Sequence, residues 1–170
     1  MKSAELLTDA FSRVQESVHE AVEGLLDEEL AFRPDPDANS IAWLVWHLTR
    51  IQDDHITDAF ELDGQLWTTD GWADRFGLPF GKAATGYGQT SKQVAAVRVP
   101  GDLLLGYYDA VHTRTLEQIA ALTNVDLERV VDTSWNPPVT LGVRLISVIT
   151  DDLQHAGQAA YVRGVAERRG

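Results

Sequence analysis

Residues 3–26 place Leu7, Phe11, Val14, Val18, Val22 and Leu25 at intervals of three and four, the period of a helix that buries one stripe. The interval returns in residues 41–60 with Ile41, Leu44, Leu48, Ile51 and His55, and in residues 102–122 with Leu104, Tyr108, Val111, Thr115, Ile119 and Leu122. A fourth stripe, Leu145, Val148, Ile149, Leu153, Ala156 and Ala160, runs through residues 140–164. Helices of this length, each ~30 Å long, can bury such stripes only against one another. No segment alternates polar and apolar residues long enough to build a sheet. The expected fold is therefore all-α, a four-helix bundle, with an irregular all-α fold as the runner-up. A length of 170 residues suits a single domain spanning 1–170.

Punctuation separates the four stripes. Pro34 and Pro36 stop a helix, and Asn39 or Ser40 offers an N-cap oxygen for the next. Trp135-Asn136-Pro137-Pro138 precedes the last stripe. Between about 61 and 100 the period is lost: Gly64, Gly71, Gly77, Gly81, Gly86 and Gly88 alternate with Trp67, Trp72, Phe76, Phe80 and Tyr87, with one short helix expected at 91–97. Bundle helices are usually joined by about 2–8 residues. So long a connection implies a crossover between helices that are not antiparallel neighbours, or a loop with a function, and its aromatics imply that it packs down.

Composition removes several function classes. The chain has 14 Lys plus Arg against 26 Asp plus Glu, a formal charge of −12, which repels phosphate backbones and anionic lipid. Neither a nucleic acid nor a membrane surface is expected as a partner. With no cysteine, the chain can supply neither disulfides, Cys-type zinc sites nor a thiol nucleophile; a thiol could enter only as a substrate. The N-terminal residues lack the apolar run of a signal peptide, and no stretch approaches the ~20 apolar residues of a membrane span, so a cytoplasmic location is expected.

The residues best suited to chemistry are His47, Asp151 and His155. Asp151 and His155 are four apart, so they leave one side of the fourth helix about 40° apart. His47 lies about 60° from Leu44, on the edge of the second helix's apolar face. Two imidazoles and a carboxylate meeting between two helices make a divalent metal site with an open coordination position. The same residues also suit a plain helical ion pair and a hydrogen-bonded core histidine. His55, in the middle of its stripe, reads as a core or interhelical hydrogen-bonding residue, and Asp54 as a solvated group. Arg144, two turns before Asp151, could clamp a substrate carboxylate or form a surface ion pair. Trp43, Trp46, Trp72 and Tyr87 could line a substrate pocket or simply be core; Trp46 and Trp72 are taken as substrate-binding candidates beside Arg144. Asp152 falls inside the apolar stripe and needs a partner, expected to be an arginine or a group of the second helix.

The runs SIAWLVWHLTRIQDDH (40–55), GWADRFGLPF (71–80) with TGYGQT (85–90), and VTLGVRLISVITDDLQHAGQAAYVRG (139–164) resemble the actinobacterial DinB-like proteins. Those are grouped with thiol-dependent transferases and with the N-terminal domain of mycothiol-dependent maleylpyruvate isomerase. The resemblance runs from the first helix to Gly164. It implies an up-down-down-up bundle with the long crossover between helices two and three, a metal held by a histidine of the second helix and a His/Glu/Asp-x-x-x-His pair of the fourth, and often a homodimer. Many relatives carry histidine at the first position of that pair. Asp151 stands there in this chain, as a carboxylate does in the isomerase, and an added carboxylate suits harder ions.

Together these features favour a metal-dependent S-transferase or isomerase in which the ion activates a low-molecular-weight thiol, by family resemblance mycothiol, for attack on a small electrophile. Zinc is the first expectation for the metal, and nickel, iron and manganese accept the same donors. A metal-dependent hydrolase, and a non-catalytic bundle that binds a metal or small molecule, are the alternatives.

Overall fold

The computed structural model describes residues 2–169. Eight α-helices appear among them: α1 (Ser3–Val22), α2 (Asp27–Leu30), α3 (Ile41–Ala59), α4 (Leu66–Thr69), α5 (Trp72–Phe76), α6 (Ser91–Val94), α7 (Gly101–Ala120) and α8 (Leu141–Glu167). The four long ones, α1, α3, α7 and α8, are the four stripes. Contrary to the expectation of no sheet, β1 (Val130–Asp132) and β2 (Val139–Thr140) pair antiparallel. This hairpin is too short to show a period of two, and it brackets the Trp-Asn-Pro-Pro turn. The structure also ends the first helix at Val22 rather than near residue 26, because Gly24 takes φ +79°, a left-handed conformation that glycine adopts without strain.

Side-chain oxygens start α3 and α8. The Ser40 hydroxyl accepts from the Trp43 N–H at 3.1 Å, and Thr140 caps α8 by accepting from the Val143 N–H, each satisfying a donor that the first turn leaves orphaned. Helix α1 packs on α7 and α8, and α3 packs on the same two, so α1–α3 and α7–α8 are the diagonals. Residue pairings set the directions. Arg163 of α8 reaches the Glu20 and Glu23 carbonyls at the end of α1, so these helices run parallel. His155 lies against Trp43, whereas Arg144 lies against His55, so α3 and α8 run antiparallel. Arg50 meets Tyr107, and Thr57 meets Arg114, so α3 and α7 run parallel. The bundle is up-down-down-up, and the segment between α3 and α7 is the crossover that such an order requires.

The core forms two apolar clusters. Val14, Leu44, Leu48, Val111 and Ala156 belong to one, while Phe11, Ile56, Ile119, Leu145 and Val148 belong to the other. On each long helix the clusters occupy successive turns, and the positions between them include Gln52, Thr115 and Asp152, all fully buried. Gln52 Nε2 donates to Thr115 Oγ1 at 2.8 Å. Asp152 does not find the partner expected of it: neither carboxyl oxygen has a hydrogen bond among the described residues. Burial, and then the neighbouring Asp151 charge, push its pKa well above the carboxylate range. Burial thus favours the neutral form of this carboxyl, the form that an apolar stripe tolerates best.

The crossover packs down as its aromatics implied. Trp67 sits against Trp46, Phe76 and Tyr107, and Trp72 against Tyr107. A buried carboxylate anchors this layer: Asp53 accepts from the Leu66 and Trp67 N–H groups, the Tyr107 hydroxyl and Arg114. No described helix is long and apolar enough to cross a membrane.

Candidate metal centre

His47, Asp151 and His155 converge between α3 and α8. One ligand-capable atom from each lies within 4.8 Å of the other two. His47 is buried, while Asp151 and His155 are half-buried, so the cluster reaches solvent on the side of Asp151 and His155. The two imidazole rings meet edge to face with centroids 4.8 Å apart. Antiparallel packing brings them together, since the first half of α3 then faces the second half of α8.

Each imidazole is oriented by a partner on its far nitrogen. His47 Nδ1 lies 2.5 Å from the Thr85 carbonyl oxygen; a carbonyl only accepts, so Nδ1 carries the proton and Nε2 keeps its lone pair. His155 Nδ1 lies 2.8 Å from Gln158 Oε1, which leaves His155 Nε2, 3.6 Å from Asp151 Oδ1, with its lone pair toward the cluster. Metal-ligating histidines characteristically have their second nitrogen tied in this way. Burial pulls the His47 pKa down, with the Thr85 hydrogen bond opposing it and the His155 charge adding to it, so the ring is held neutral, as a ligand must be. Asp151 Oδ2 is buried and has no hydrogen-bond partner among the described residues. An orphaned carboxylate oxygen beside two imidazole lone pairs fits a cation. Ligand atoms about 2.1 Å from a tetrahedral ion stand ~3.4 Å apart, so separations of up to 4.8 Å would close by up to about 1.4 Å.

The other candidate residues lie elsewhere. Arg144 is not aimed at the cluster: its guanidinium pairs with Asp132 of β1 at 2.7 Å and touches His55. The hairpin, invisible to periodicity, captures it. Trp46 is buried against Trp67 and Phe80, and Trp72 against Tyr107 with Arg75 stacked on it, so both belong to the crossover core rather than to a wall of the cluster. Trp43 occupies the place proposed for such an aromatic. Its ring stacks on His47 with centroids 4.7 Å apart and 18° between planes, and it presents an edge to His155. Tyr87 is 93% exposed, two residues beyond Thr85, whose carbonyl meets His47. Asp54 is bound by Gln65, and His55 is engaged with Arg144. Gln158 and Thr85 escaped the sequence reading; Gln158, three residues after His155 and within reach on the same helix, was the more detectable of the two.

Known proteins resemble the chain as a whole. A conserved protein of Enterococcus faecalis, solved by crystallography, superposes with a TM-score of 0.88 at 32% sequence identity over 96% of each chain. No curated protein matches. Residues 6–167 match the model of the mycothiol-S-transferase family, a span that includes all three residues of the cluster. The chain therefore belongs to the mycothiol-S-transferase family.

Proposed function

We propose that the protein is a metal-dependent S-transferase, acting in the cytoplasm, that joins a low-molecular-weight thiol, mycothiol in the first instance, to a small electrophile. The observation that carries this reading is the convergence of a ligand-capable atom from each of His47, His155 and Asp151, with both histidines bonded through Nδ1 to Thr85 and Gln158. Zinc is the first expectation for these donors, with nickel, iron and manganese as alternatives. His47, Asp151 and His155 would hold a divalent ion, and the chemistry such an ion would supply is acidification of a cosubstrate thiol. The chain has no cysteine of its own, so the sulfur must come from a cosubstrate. The proton of a thiol acidified in this way would pass to solvent, so this reading needs no separate general base. Trp43 covers one face of His47 and keeps water from that side.

Water activation by the same three residues would make a hydrolase. The thiol reading is favoured because the nearby groups that could serve as a separate general base are already committed: Asp54 to Gln65 and His55 to Arg144. The test is thiol consumption by metal-loaded protein given mycothiol and a chloro-aromatic electrophile, beside His155→Ala. Thiol-dependent turnover lost in the variant supports the transferase. Ester or amide hydrolysis without thiol moves the reading to a hydrolase, and metal-loaded protein inert in both assays moves it to a non-catalytic binding bundle.

The same reading includes a homodimer formed through the outward side of α8. Val143, Ile146, Leu153 and Tyr161 are exposed there at spacings of three, seven and eight, and the exposed residues between them, Ser147, Thr150, Gln154, Gly157, Gln158 and Ala160, bear no charge. On a chain of net charge −12, an uncharged apolar stripe is where two copies can approach without repulsion.

A further inference from the structure

The segment 84–89 of the crossover touches α3 at three positions on one face of that helix, spaced four and three apart. The Ala84 carbonyl accepts from Arg50 Nε at 3.2 Å. The Thr85 carbonyl accepts from His47 Nδ1, and Gln89 Oε1 accepts from Trp43 Nε1 at 2.8 Å. A turn closed by the Gln89 N–H on the Gly86 carbonyl joins these contacts. Arg50 is itself fully buried, bonded by the Tyr107 hydroxyl and lying over Trp67, so one end of the segment is fixed to the core. At Gly86, next to the Thr85 carbonyl, the backbone leaves no room for a side chain beside the imidazole. A Cβ there would lie 2.7 Å from His47 Nδ1 and 3.1 Å from Trp43 Cζ2, and the residue takes φ +102°, so both space and conformation demand glycine. Gly88, two residues on, also has a positive φ of +71°, yet a Cβ there would meet nothing within 4 Å.

We infer that segment 84–89 is a clasp that sets the tautomer and orientation of His47, with Gly86 and Thr85 as positioning residues for the metal centre. The inference rests on the proposed metal-binding function and deepens it. In free histidine the Nε2–H tautomer predominates; a carbonyl fixed on Nδ1 reverses that preference and turns the Nε2 lone pair toward Asp151 and His155. Trp43, stacked on one face of the ring and tied to Gln89, prevents the ring from turning away.

Gly86→Ala and Gly88→Ala share the backbone cost of a side chain at positive φ, but only the first collides with His47. In metal-free protein above about pH 8, where the imidazole is neutral, long-range proton–nitrogen spectra report which ring nitrogen carries the hydrogen. Native protein and Gly88→Ala are expected to show His47 as Nδ1–H, and Gly86→Ala to show the other tautomer or a mixture. Zinc affinity, read by competition with a chromophoric chelator, should fall about 10- to 100-fold in Gly86→Ala and stay near native in Gly88→Ala. Gln89→Leu, which releases Trp43 without adding bulk beside His47, gives a second reading should Gly86→Ala fail to fold, and its affinity should also fall. An Nδ1–H tautomer retained in Gly86→Ala, with affinity equal to that of Gly88→Ala, overturns the clasp while leaving the metal centre intact. Native protein that binds no zinc overturns the metal-binding function and with it the role assigned to Gly86, while the native tautomer still shows whether Thr85 orients His47.

Discussion

His155 Nδ1 lies 2.8 Å from Gln158 Oε1, one turn further along α8 and near solvent. The pair needs nothing beyond α8 itself, so Gln158 orients His155 locally, whereas His47 depends on a distant loop. Gln158→Leu should leave stability within about 0.5 kcal/mol, as for most exposed substitutions, yet weaken metal binding about 10-fold or more. Chelator competition and urea unfolding on the same preparation check both halves. Unchanged affinity would remove Gln158 from the site.

Asp53 is the anchor of the crossover. It is fully buried and accepts four hydrogen bonds, and Arg50, also fully buried, stands 3.8 Å away. Removing the carboxylate leaves Arg50 a buried charge without its partner, a defect that costs about 3–5 kcal/mol. Asp53→Ala should lose about that much in urea unfolding. A loss below about 1 kcal/mol, the ordinary scale of exposed ion pairs, would show that the crossover is held by its aromatics alone.

His19 links α1 to α7, with Nε2 2.8 Å from Asp109 and Nδ1 2.8 Å from Glu23. Burial lowers its pKa, but the hydrogen bonds and charges of Asp109 and Glu23 together outweigh burial and raise it above 6.5. The folded state then binds the proton more tightly than the unfolded state. The resulting stability is fully present below the unfolded value and is lost as pH rises through the folded one. Thermal unfolding followed from about pH 6 upward should show this loss, and His19→Gln should flatten it. An identical pH slope in the variant would exclude His19 as its source.

Ile146 stands in the middle of the uncharged outward stripe of α8, 57% exposed. Ile146→Glu places a charge where two copies would meet, and light scattering after gel filtration should then report one chain in place of two. A native protein that is monomeric at micromolar concentration, or a variant that stays dimeric, would contradict association through α8.

The bundle was legible because helical packing writes its period directly into residues such as Leu44, Leu48, Leu145 and Val148. The end of α1 was not, because Val22 and Leu25 continue the stripe while Gly24 turns the chain. His47, Asp151 and His155 could be singled out from helical spacing alone. The aromatic beside them required the choice between Trp43 and Trp46, and Trp43 is one turn before His47, the spacing at which side chains on a helix meet. Arg50 and Asp53 carry no sign of their buried pairing in the sequence, since only the returning crossover buries them. Thr85 and Gly86 lie in a segment without periodicity, where the sequence carries no sign of which backbone atoms approach His47.

The most direct measurement is the metal content of purified protein, loaded in zinc-containing buffer and gel-filtered, beside a His47→Ala/His155→Ala variant treated identically. About one ion per chain on the native protein, lost from the variant, is the expected result for a three-donor site. Native protein that emerges without metal, or a variant that retains as much as the native, would contradict a metal centre at His47, Asp151 and His155.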